Sequence, residues 1–168
     1  GTLGIIDVIT NRLRADDPTA KAGKNALEAM VLCLEGINVY AQNLADLAES
    51  QAKELAQKKS GTKRQKELKR LAEICRKVPM QPPETLDEAF NALWITWVGL
   101  LNENADTGLS VGRLDQWLQP FFESDLKKLT NKKQRKAYIA HAIELAGCFF
   151  MRCTDHFPLG PDIANFLF

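Results

Sequence analysis

Apolar residues recur at three- and four-residue spacing over most of this 168-residue chain, the period of one helix face. Leu3, Ile5, Ile6, Ile9 and Leu13 predict a first helix over 3–14. Asp16-Asp17-Pro18 ends it, because proline disfavours helix at the residue before it and starts a new segment readily. Leu27, Met30, Val31, Leu34, Ile37, Ala41, Leu44, Leu47 and Ala48 predict a long amphipathic helix over 24–58. Its second half is rich in Ala, Glu, Gln and Lys and is expected to face solvent on most sides. A basic hinge from Lys58 to Arg64, broken by Gly61, leads to a helix over 65–76 that buries Leu68, Leu71, Ala72 and Cys75. The prolines of Val78–Pro83 end it.

Thr85 has the position of an N-cap, with Glu88 three residues on to complete a capping box. The helix it opens runs through Leu86, Phe90, Trp94 and Trp97 to Leu101 and is apolar on nearly every side from Ala92, which predicts a central position. It breaks abruptly into Asn102-Glu103-Asn104-Ala105-Asp106-Thr107-Gly108. A helix over 113–129 follows, kinked or restarted at Pro120, then a basic turn over 130–136 and a helix over 137–151 that is apolar all round in its later part. Periodicity alone does not separate helix from barrel strand for the apolar runs near Trp94 and Phe149. The chain closes on a polar, proline-containing loop over 152–162 and an apolar Ile163–Phe168, a helix turn or a buried strand.

Length predicts one domain with a single core. With 22 basic and 21 acidic residues there is no charge excess to recruit nucleic acid or an acidic membrane, and the basic hinge has no interleaved aromatics. The longest apolar run, from Trp94 to Leu101, is too short to span a bilayer. No signal peptide is visible, and four scattered cysteines suit reduced thiols in a cytoplasm. The Gly1 start, inside an apolar pattern, and the exposed-looking Phe166-Leu167-Phe168 end are those expected of an interior slice of a longer chain.

The residues after Leu71 carry a resemblance. Leu71-Ala-Glu-Ile-Cys-Arg-Lys-Val-Pro79, Pro83-Glu-Thr-Leu-Asp-Glu-Ala89, Asn102-Glu103 and Gly108-Leu-Ser-Val-Gly-Arg-Leu-Asp-Gln116 follow one another in fixed order. Together they resemble the middle of glycyl radical enzymes, the pyruvate formate-lyase superfamily, most strongly from Leu68 to Asp125. The resemblance implies a mainly α fragment: outer helices of a large ten-stranded β/α barrel. Residues 1–168 would be a partial domain, without the Gly-Cys-x-Glu loop that carries the catalytic cysteine and without the carboxyl-terminal Arg-Val-x-Gly loop that carries the radical. No catalytic residue is therefore expected here. Cys33-Leu34-Glu35 has the Cys-x-Glu spelling but lies mid-helix and before the Gly-Arg pair, so Cys33 is expected to be a core cysteine.

By resemblance, the loop before Arg113 contacts substrate, with Asp106, Thr107, Gly108 and Ser110 as the binding residues. Diol-dehydratase members carry His-Ser where this chain has Thr107 and Gly108. The spelling is therefore closer to the formate-lyase and arylacetate-decarboxylase branches. Thr107 and Ser110 could equally cap the helix that follows. Arg113 and Asp115 read as an ion-paired elbow supporting the pocket, and Arg152, Asp155 and His156 as supporting or structural polar residues. The full enzyme would be a cytoplasmic homodimer acting on a small metabolite, its radical installed by a separate radical S-adenosylmethionine iron–sulfur activase. This chain would hold no cofactor, be inactive alone, and have the remainder of its own polypeptide, the activase and the substrate as partners.

Two other readings stay open. A free-standing helical module could bind a partner protein through a Trp94/Trp97/Trp117 face. Cys148, Cys153 and His156 could ligate a metal, but a Cys-x4-Cys-x2-His spacing with no fourth anchor is a poor zinc signature, so no metal is expected. His141 reads as a half-buried or surface histidine.

Overall fold

A computed structural model describes residues 1–15, 18–58, 60–103 and 110–153. Among them every regular element is a helix: α1 (Thr2–Arg14), α2 (Pro18–Ala22), α3 (Lys24–Gln57), α4 (Thr62–Lys77), α5 (Leu86–Glu103), α6 (Leu114–Lys127) and α7 (Lys132–Arg152). The chain is mainly α, as the periodicity predicts, and the runs around Trp94 and Phe149 are helical. It divides into two compact units, Gly1–Pro83 and Glu84–Phe168.

In the first unit α3 packs along α4. The buried residues of this pair are Ala41, Ala45, Ala48 and Ala52 on α3 and Leu68, Ala72 and Cys75 on α4. An alanine row at i, i+4, i+7 and i+11 presents a narrow stripe that lets a neighbouring helix approach closely. Gly61, at φ +66°, supplies the left-handed residue that turns the chain into α4. Arg76 bridges the two helices through Asp46 (2.9 Å) and Glu49 (3.1 Å). The α1 amides of Thr2 and Leu3, which have no partner inside the helix, donate to the carbonyls of Pro79 (2.9 Å) and Met80 (3.2 Å). The buried Thr2 hydroxyl bonds Asn38 Oδ1 at 2.6 Å.

The five-residue α2 begins at Pro18, where a new segment is expected, because proline is well suited to a first helical turn. One expectation fails in this unit. Cys33 is not a core cysteine but exposed, beside a Leu32 that is 67% exposed. The burial along α3 starts only at Ala41, and a periodic stripe does not reveal how much of its length meets a partner.

In the second unit α5 packs on both α6 and α7 around Leu86, Phe90, Leu114 and Phe149. Phe149 meets the Phe90 ring at 5.7 Å and the Trp94 ring edge-on at 6.2 Å. Burying each such phenylalanine contributes roughly 1.5–3 kcal/mol. The capping box is present: the Glu88 amide donates to Thr85 Oγ1 (3.2 Å), and the Glu88 carboxylate accepts the Glu84 amide (2.7 Å), one residue before the cap.

α6 runs through Pro120 without restarting. The missing N–H leaves the Gln116 carbonyl without its helical partner, but Gln116 and Pro120 are both exposed and water can take that bond. α7 starts five residues before the expected Ala137, because Asn131 caps it by accepting the amides of Lys133 (2.8 Å) and Gln134 (3.4 Å). Arg135 in its first turn reaches back to close α6, donating to the carbonyls of Leu126 (2.9 Å) and Leu129 (3.1 Å). The later part of α7 does not face apolar surroundings all round. Phe149 is buried, but Phe150 and Cys148 are exposed.

Candidate functional site

Of the residues assigned to substrate, Asp106, Thr107 and Gly108 lie outside the described residues, as do Asp155 and His156. Ser110 is described and exposed. Its Oγ accepts the Gly112 amide at 3.3 Å, which closes a small turn ahead of α6 rather than capping the helix itself. Gly112 sits at φ +63°, where a side chain would be strained, so the approach to α6 depends on glycine here.

The next step is the predicted ion pair. Arg113 Nε donates to Asp115 Oδ1 at 2.9 Å and Nη2 to Oδ2 at 2.6 Å, a two-pronged contact. The guanidinium holds the Asp115 carboxyl below the usual carboxylate range, and Asp115 raises Arg113 in turn. Both side chains are exposed, so the pair fixes geometry at the start of α6 and adds little stability.

Arg152 lies in the last turn of α7, where a cation complements the helix dipole. It borders a cleft of about 140 Å³ with Asn91, Trp94, Cys148 and Phe149. Cys153 is half-buried at the end of α7, and burial pushes its thiol up. Among the described residues no group of three or more His, Cys, Asp or Glu side chains is placed to hold a metal ion. The three tryptophans do not form one exposed face: Trp94 is packed on Phe149, the Trp97 indole nitrogen is buried, and Trp117 is 64% exposed.

The structure also brings together residues that sequence spacing does not connect. Asp125 Oδ2 accepts the Leu86 amide (2.9 Å) and the Tyr138 hydroxyl (3.3 Å), while Oδ1 accepts Lys128 Nζ (2.9 Å). Burial pushes Asp125 up, yet these three donors outweigh it and hold the carboxyl below its ordinary value. Burial, then the Asp125 charge, pushes the Tyr138 phenol up to about 12. His141, half-buried as expected, has Nε2 2.9 Å from Asp87 Oδ1. Lys128 is a local i, i+3 partner of Asp125, but the other pairs join residues 13 to 54 positions apart, and no local pattern announces them.

An apolar groove of about 390 Å³ opens between α6 and α7, with Leu86 and Phe90 of α5 at its base. Apart from Asp115 and Gln119, every residue lining it is apolar.

The sequence model of the pyruvate formate lyase-like (PFL-like) family matches residues 1–168. The chain belongs to this family. Among its PFL-like relatives are glycyl radical enzymes. It is 41% identical over 101 residues to the isethionate sulfite-lyase of Nitratidesulfovibrio vulgaris, covering 60% of this chain and 12% of that protein. It is 31% identical over 101 residues to the glycyl radical subunit of 4-hydroxyphenylacetate decarboxylase from Clostridioides difficile, covering 60% of this chain and 11% of the subunit. The hydroxyproline dehydratase of Clostridioides difficile, solved with trans-4-hydroxy-L-proline bound, superposes with a TM-score of 0.80 at 28% identity over 96% of this chain and 20% of its own. The chain thus spans a fifth or less of the length of these PFL-like proteins.

Proposed function

We propose that this chain is a helical part of a glycyl radical enzyme that cleaves a C–C or C–X bond of a small oxygenated metabolite in the absence of oxygen. The observation that carries this is the family match over residues 1–168, supported by the fold likeness to a substrate-bound dehydratase over 96% of the chain. The share of this chain is positioning. Asp106, Thr107, Gly108 and Ser110 approach the substrate, the glycine-dependent turn at Gly112 and the Arg113–Asp115 pair hold the end of that loop, and Arg152, Asp155 and His156 support it. The radical supplies hydrogen-atom abstraction when it is present; the cysteine and glycine loops that carry it belong to the remainder of the polypeptide. A radical S-adenosylmethionine iron–sulfur activase installs it, the full enzyme is a cytoplasmic homodimer, and this chain alone is inactive.

Within the family, Thr107-Gly108 in place of His-Ser supports a formate-lyase or decarboxylase type of substrate over a diol. The test is anaerobic co-expression of the parent polypeptide with its activase, read by electron paramagnetic resonance and by product formation. An organic radical and turnover are expected from the parent and neither from the 168-residue chain. Turnover by the chain with no added polypeptide would overturn the reading, and conversion of glycerol or 1,2-propanediol by the parent would overturn the substrate preference.

A further inference from the structure

We draw no further inference here: the strongest candidate, the exposed basic patch of Lys63, Lys66, Lys69 and Arg70 on α4, carries nothing, because Glu67 already pairs with Lys63 and nothing in the structure shows what covers the rest.

Discussion

The carboxylate of Asp125 on α6 accepts the amide of Leu86, the first residue of α5, at 2.9 Å. One helix thereby caps another, and Thr85 and Glu88 complete the job from within the sequence of α5 itself. A charged acceptor on an otherwise orphan helix amide is among the stronger single hydrogen bonds a protein makes.

Asp125→Ala should therefore lower the unfolding free energy of the chain by about 2 kcal/mol, read as a shift in the urea midpoint. The pH dependence has a defined sign. The folded carboxyl titrates below its unfolded value of about 3.9, so its contribution is complete above that value and is lost as pH falls through the lower folded one. Stability should decline in that acid window, and Asp125→Asn should flatten the decline. An unchanged acid limb in the variant would argue against the cap.

Tyr138 gives the opposite sign. Its phenol is raised from about 10 to about 12, so its contribution is complete below the unfolded value and disappears as pH rises between the two. Spectrophotometric titration should show one tyrosine ionising late, and Tyr138→Phe should remove that step. The same variant loses the bond to Asp125 and keeps the ring stacked on Phe122 at 5.6 Å, at a cost of about 1 kcal/mol at neutral pH.

The alanine seam should be intolerant of bulk. Ala45 is fully buried on α3, and Ala45→Leu would force α3 and α4 apart at a cost of roughly 1–3 kcal/mol despite leucine's good helix propensity. Thermal unfolding followed by circular dichroism measures it. An unaffected midpoint would mean that the helices have room to give.

Arg113→Gln should leave the unfolding midpoint where it is, because both members of the pair are exposed. It should instead return the Asp115 carboxyl toward its ordinary range, since the guanidinium is the first cause of its depression. A carbon-detected NMR titration of Asp115 in both proteins decides it.

What the sequence discloses follows from the range of each interaction. The Thr85–Glu88 cap and the Leu68, Ala72, Cys75 stripe are local patterns, and both are found where the spacing places them. The start of α7 was equally local but hidden: Asn131 is a good N-cap, and the run of lysines after it masked the helix as a basic turn. Cys33 shows a different limit, since periodicity assigns a face but not whether a partner extends that far. Asp125 with Leu86 and Asp87 with His141 depend on how helices pack, so no window of sequence contains them. The candidate site was half legible. The Arg113–Asp115 ion pair is present at the start of α6, and Ser110 serves the turn at Gly112, while Asp106, Thr107 and Gly108 lie outside the described residues.

The uneven burial of α3 has a mechanical meaning. The helix is 34 residues long, about 51 Å at 1.5 Å per residue, and its buried residues all fall between Ala41 and Ala52. Toward Lys24 it is held by the Thr2–Asn38 bond and by half-buried contacts. It is clamped along the alanines and held more lightly, by α1, ahead of them, with its Lys24 end continuing into α2. A load applied near Met30 would be carried as bending by the backbone ladder until it reached the clamp at Ala41, and amide hydrogen exchange along α3 should slow in that same direction.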